Sequence, residues 1–136
     1  MRLWHQDLIK YLPRQQLLGQ HRECCALRGA GWGRRHSVVN YVFEYNPNLL
    51  VAYHILVMNE MKNRGYNPSP EWYNIDWRGN TLKEQNNWCN REEIYRLVDN
   101  ATIANCIIYP EHNKNYLKEC LDNLRSKNII IEEVKI

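Results

Sequence analysis

No run of about 18 consecutive apolar residues occurs in this 136-residue sequence, so no segment reads as a transmembrane helix. The opening residues, Met1 to Asp7, contain no apolar core segment, and a secretory signal is not expected. No CxxC pair occurs among the five cysteines, and Cys24 and Cys25 are adjacent. That odd count and spacing argue against a disulfide framework or a zinc knuckle, so reduced thiols in a cytoplasmic protein are expected. The five histidines (His5, His21, His36, His54 and His112) show no metal-ligand spacing with those cysteines. HExxH, GxSxG and GxxxxGK[ST] are all missing, which removes zinc hydrolase, serine hydrolase and P-loop readings. No metal and no cofactor is expected. Repeats, low-complexity stretches and linkers are missing too.

The residues that are present describe one compact domain over 1–136, with 44% hydrophobic and 24% charged side chains. The net charge of +3 is unevenly placed. Residues 1–40 carry seven basic side chains (Arg2, Lys10, Arg14, Arg22, Arg28, Arg34 and Arg35) against Asp7 and Glu23. The other 96 residues carry 11 basic and 13 acidic ones. Six of the seven early cations are arginine, the side chain best shaped to fork onto phosphate. A basic third of this kind reads either as a polyanion footprint or as a solvated face.

Apolar residues recur mostly at three- and four-residue spacing, which predicts an all-α fold. Proline in a first turn predicts a helix from about Pro13 to Leu27. Arg28 to His36 is a basic, glycine-rich loop holding Trp32; it does not have the spacing of a dinucleotide fingerprint. Asn46-Pro47-Asn48 opens a helix from Leu49 to Arg64, ended by Gly65 at C′. His54 lies on it beside the apolar stripe, as a structural histidine. Residues 66–88 form an aromatic, turn-rich stretch that either wraps the core or meets a ligand. Asn90 as N-cap with Glu93 at N3 predicts a helix to about Cys106. A last helix spans roughly Glu111 to Ser126, with Tyr116, Leu117, Cys120, Leu121 and Leu124 on one stripe. The tail after Ile129 is β-branched and reads as extended.

Two groups could carry chemistry. Gly19, Arg22, Glu23 and Ala26 share a helix stripe, which leaves open space over the Glu23 carboxylate in a basic region. Such a carboxylate serves as acid, base or stabiliser of a developing cation; the alternative is a surface glutamate paired with arginine. The Met1 α-amine, with a reference pKa near about 8, is partly unprotonated at neutral pH and can form Schiff bases. Arg2 after Met1 is expected to prevent Met removal.

The stretch Met1-Arg2-Leu3, followed by Gln15 to Glu23, resembles the start of the phage-type pyrimidine-dimer DNA glycosylases, also called endonuclease V. Those enzymes pair an N-terminal residue followed by arginine with an Arg-Glu dipeptide about twenty residues on. Glu60 to Tyr66 is similar to the family's acidic helix end followed by Arg-Gly-aromatic. Arg-Leu-Trp-His, His-Arg-Glu-Cys, His36 through Phe43, Tyr53-His54 and Arg64-Gly65-Tyr66 resemble its bacterial branch most closely. The likeness covers most of residues 1–70. It implies an all-α enzyme that needs no metal, with Met1 as the attacking amine and Glu23 as the essential carboxylate. Arg2 and Arg22 would hold phosphates, with Arg28, Arg34 and Arg35 as further DNA-binding residues. The implied activity is removal of a base from a pyrimidine dimer in double-stranded DNA through an imine, followed by β-elimination at the abasic site. The implied partner is damaged duplex DNA, met by a monomer. A non-catalytic nucleic-acid-binding relative, or a glycosylase for another damaged base, is the alternative. The chain departs from the phage enzyme in starting with Met and in ending on an Ile-rich, acidic tail.

Overall fold

The computed structural model describes residues 2–29 and 39–134. The expected helices are there: α1 (Arg14–Gly29), α2 (Pro47–Asn63), α3 (Arg91–Ala104) and α4 (Lys114–Ser126). Short 3-10 turns at Gln6–Tyr11, Asn40–Glu44 and Pro70–Tyr73 accompany them. Among the described residues there is no β-strand, and the all-α expectation holds. No described helix is long and apolar enough to cross a membrane. The tail up to Val134 is irregular, and its Ile129, Ile131 and Val134 pack against the core.

Three of the helices start on side chains that satisfy free backbone groups. Asn46, Asn90 and Asn113 cap α2, α3 and α4 by accepting from the amides of Asn48, Glu93 and Tyr116. The capping box expected at α3 is rerouted. Asn90 N–H donates to Asn48 Oδ1 at 2.7 Å, and Asn48 Nδ2 donates to Glu93 Oε2 at 2.7 Å. Buried Asn48 thereby ties the start of α2 to the start of α3. At the end of α2, Gly65 has φ +89°. Tyr66 N donates to Met61 O and Gly65 N to Lys62 O, the double bond of a Schellman motif that needs a left-handed residue. Arg64 pairs with Glu60 at 2.7 Å and donates to the carbonyls of Leu12 and Lys10. The Glu60 to Tyr66 motif thus clamps the first 3-10 turn onto α2.

Helix α2 is central and packs on both α1 and α3. Leu50 to Ile55, Val57 and Met58 are all buried, so it is apolar around most of its circumference rather than along one stripe. Helix α4 keeps the expected stripe, burying Leu117, Cys120 and Leu124.

Arg28 is expected on the DNA-facing surface, and the structure places it elsewhere. It is 0% exposed at the end of α1. Its Nη1 donates to Trp72 O (2.8 Å), and its Nη2 to Asn74 O (2.9 Å) and Trp77 O (2.8 Å). The guanidinium lies 5.0 Å from the Trp72 ring centroid. Burial pushes its pKa down to about 10, which still leaves it charged at neutral pH. Because those donors are engaged inside, Arg28 offers no phosphate contact in this structure. It folds the aromatic stretch 66–88 onto α1, so Trp72 belongs to the interior.

Two testable consequences follow from these buried groups. Arg28→Met strands three carbonyls, and charge-assisted bonds contribute about 1.5–3 kcal/mol each. Urea denaturation should show a loss of about 3 kcal/mol or more, while exposed Arg22→Met stays within about 0.5 kcal/mol. Equal losses would contradict the interior role. The second concerns pH. Burial, then the neighbouring His5, holds His112 down at about 3, and burial also lowers His5, His21 and His54. Folded histidines with depressed pKa values stay neutral where the unfolded chain takes up protons below about 6.5. Their contribution is therefore whole above that pH and is lost as pH falls from there toward 3. The urea midpoint should drop clearly between pH 7 and pH 5; a flat profile would refute the assignment.

Candidate active site

The leading segment enters between three helices. Leu3 is fully buried and Trp4 nearly so. Gln20 of α1, also buried, donates from Nε2 to Arg2 O (2.9 Å) and accepts at Oε1 from Trp4 N (2.6 Å). Tyr53 of α2 brings its hydroxyl to Trp4 O (2.6 Å) and Gln20 Oε1 (2.9 Å). Tyr116 of α4 donates to Leu3 O from the other side. The backbone of residues 2–4 is thus fixed by α1, α2 and α4 together.

One turn past Gln20, Glu23 faces the same side of α1. A cavity of about 380 Å³ opens there, lined among others by Arg2, Gly19, Gln20, Glu23, Asn123 and Lys127. The stripe of Gly19 and Glu23 read from the sequence does border open space. Glu23 Oε2 is buried and has no hydrogen-bond partner among the described residues, and Asn123 Oδ1 shares that condition. Arg22 does not pair with it as an ion pair; among the described residues the Arg22 side chain is exposed. Arg2 lies 3.4 Å from Glu119 Oε2 and leans over the Trp4 and Tyr116 rings at 5.8 Å each. Lys127 Nζ sits 5.4 Å from the Trp4 centroid. The cavity therefore has a cationic rim and an unpartnered acid in its wall. In that setting a carboxylate can stabilise positive charge or move a proton.

Met1, Arg34 and Arg35 lie outside the described residues, as do Trp32 and His36 of the basic loop. Arg2 and Glu23 are brought to one cavity, Arg22 is exposed on the same helix, and Arg28 is interior. Asn123 and Lys127 were not foreseen. Asn123 lies in the last turn of α4 and Lys127 is its C-cap four residues on, but their approach to Glu23 is a long-range packing result. A larger opening of about 800 Å³ lies between the first 3-10 turn, α2, α3 and the tail. Of its acids, Glu60 is paired with Arg64 and Asp7 and Glu133 are exposed, whereas Glu23 Oε2 of the smaller cavity is buried without a partner among the described residues.

A family model described as pyrimidine dimer DNA glycosylase matches residues 1–74, more than half of the chain. No curated protein and no solved structure matches. The matched stretch holds Arg2, Gln20 and Glu23 and stops before α4.

Gln20→Leu removes the partners of Arg2 O and Trp4 N–H in a buried place, where each unsatisfied group costs about 1–3 kcal/mol. A loss of about 2–4 kcal/mol in urea denaturation is expected. A change below about 0.5 kcal/mol would show that the clamp does not hold the segment.

Proposed function

The chain belongs to the pyrimidine dimer DNA glycosylase family, and from that premise we propose that it excises the 5′ base of a pyrimidine dimer and then cuts the strand through an imine on its own α-amine. The observation that carries this reading is the convergence on one cavity of Arg2 and the Glu23 carboxylate, whose Oε2 has no partner among the described residues. Met1 directly precedes Arg2 in the sequence.

The damaged nucleotide leaves the stack to reach the cavity. The neutral Met1 amine attacks C1′, and the pyrimidine departs with the electron pair of the glycosidic bond. The C1′–O4′ bond then opens, O4′ takes a proton, and nitrogen and C1′ are joined as an iminium. Glu23 stabilises the cationic sugar and takes the C2′ proton. The resulting electron pair expels the 3′ phosphate by β-elimination, and water releases the enzyme. Arg2 and Arg22, with Arg34 and Arg35 of the basic loop, supply phosphate affinity that is independent of sequence and weakened by salt.

Borohydride should trap a covalent adduct on duplex DNA carrying a cyclobutane dimer. Glu23→Gln is expected to lower trapping by about 100-fold or more, the ordinary size of a positioned acid–base group. An uncleavable N-terminal extension should abolish trapping while leaving salt-sensitive DNA binding. Unimpaired cleavage by both altered proteins would overturn the mechanism, and DNA binding without any trapping by the native chain would make it a non-catalytic relative.

A further inference from the structure

A second group of donor side chains lies about 200° round α1 from Glu23, since His21 and Cys25 each stand two residues from it. His21 and Cys25 are four residues apart and share a helix face. His54 meets them from α2. His21 Nδ1 is 2.8 Å from His54 Nε2, and Cys25 Sγ is 3.9 Å from each of these nitrogens. The three donor atoms lie within 4.8 Å of one another, on two helices that pack together.

Those separations are close to a metal coordination edge. Bonds of about 2.0–2.1 Å to nitrogen and about 2.3 Å to sulfur in a tetrahedron require about 3.4 Å between nitrogens and about 3.6 Å from sulfur to nitrogen. The two rings need to part by about half an ångström and the thiol to close by about 0.3 Å. We propose that His21, Cys25 and His54 bind one borderline transition-metal ion of the zinc class, clipping α1 to α2, with the remaining position open to water. Thiolate with imidazole selects such ions over magnesium or calcium. His21 and Cys25 are only half-buried, which gives the ion a way in.

Arg28 has to be reconciled with an ion here, because its Nη1 lies 3.0 Å from His54 Nδ1. A guanidinium only donates, so His54 Nδ1 accepts and its Nε2 carries the proton shared with His21. Coordination removes the Cys25 thiol proton outright, whereas a histidine ligates as the neutral imidazole. The His54 proton therefore moves from Nε2 to Nδ1, and Arg28 Nη1 gives up that bond while keeping the one to Trp72 O. One proton leaves as two positive charges arrive, so the site gains one positive charge. This site is independent of the repair chemistry proposed above.

The test uses the untagged, full-length protein, reduced and freed of metal, titrated with cobalt(II). Expected are a thiolate-to-cobalt charge-transfer band in the near ultraviolet and visible bands of a tetrahedral ion, saturating at one equivalent and bleached by zinc. Cys25→Ser should lose the charge-transfer band, and His21→Asn should weaken binding by at least tenfold, with circular dichroism unchanged in both. Zinc should raise the melting midpoint of the native chain and leave that of Cys25→Ser in place. No saturable thiolate band in the native chain, or the same band in Cys25→Ser, overturns the site. His54→Asn is the less telling variant because His54 is wholly interior.

Discussion

Everything at the candidate site depends on the buried amide of Gln20. In an extended chain, successive carbonyls point to opposite sides, so the carbonyl of residue 2 and the N–H of residue 4 face one partner. Gln20 meets both, one with its donor and one with its acceptor. The carbonyl of Leu3, on the other side, goes to Tyr116. A single side chain thus substitutes for a neighbouring strand. No other residue type of that length offers a donor and an acceptor in one plane, since Glu lacks the donor and Met lacks both. Glu23, one turn on, inherits its relation to the leading segment from that clamp rather than from any bond of its own.

Helix α1 carries different chemistry on its two flanks, and its C-terminal end explains how. Arg28 turns inward and gathers the carbonyls of Trp72, Asn74 and Trp77. Gly29 follows, where a Cβ would stand 3.0 Å from the Arg78 carbonyl, and Arg78 Nε donates back to Arg28 O. The aromatic stretch is therefore fastened to α1 at both the side chain and the backbone of one residue. Burial first, and then the interior cation of Arg28, lowers the proton affinity of His54. The basic count of the first forty residues accordingly overstates the electrostatic face. Arg28 is removed from it, and Arg14 lies over the Tyr66 ring at 5.5 Å.

Helix positions were legible because they rest on local physics. Proline at a first turn, asparagine caps and a left-handed glycine act within a few residues, and α1 to α4 appear where those signals stand. The three 3-10 turns were not legible, being too short to show a period. The left-handed Asn105 (φ 55°) ends α3 two residues short of the expected Cys106, because asparagine tolerates that conformation without announcing it. The Glu23 stripe was readable from helical spacing. The interior place of Arg28 was not, since nothing local separates a buried arginine from a phosphate-binding one. The same holds for His21 and Cys25: their four-residue spacing is visible, but His54 reaches them only through the packing of α1 on α2.

The part of the chain beyond the family match also bears on the cavity. Asn123 of α4 and Lys127 at its C-cap complete the wall, yet the matched stretch ends at residue 74. Two buried acceptors, Glu23 Oε2 and Asn123 Oδ1, look into one small space without a donor among the described residues. Leaving a buried acceptor unpaired costs free energy that a folded chain ordinarily avoids. Such a cost is tolerated where an occupant repays it, and the occupant must be rich in N–H or O–H groups. An amine about to attack a sugar, and the hydroxyl released when that sugar opens, both meet this description. Helix α4, beyond the matched stretch, thus shares this cavity with Glu23.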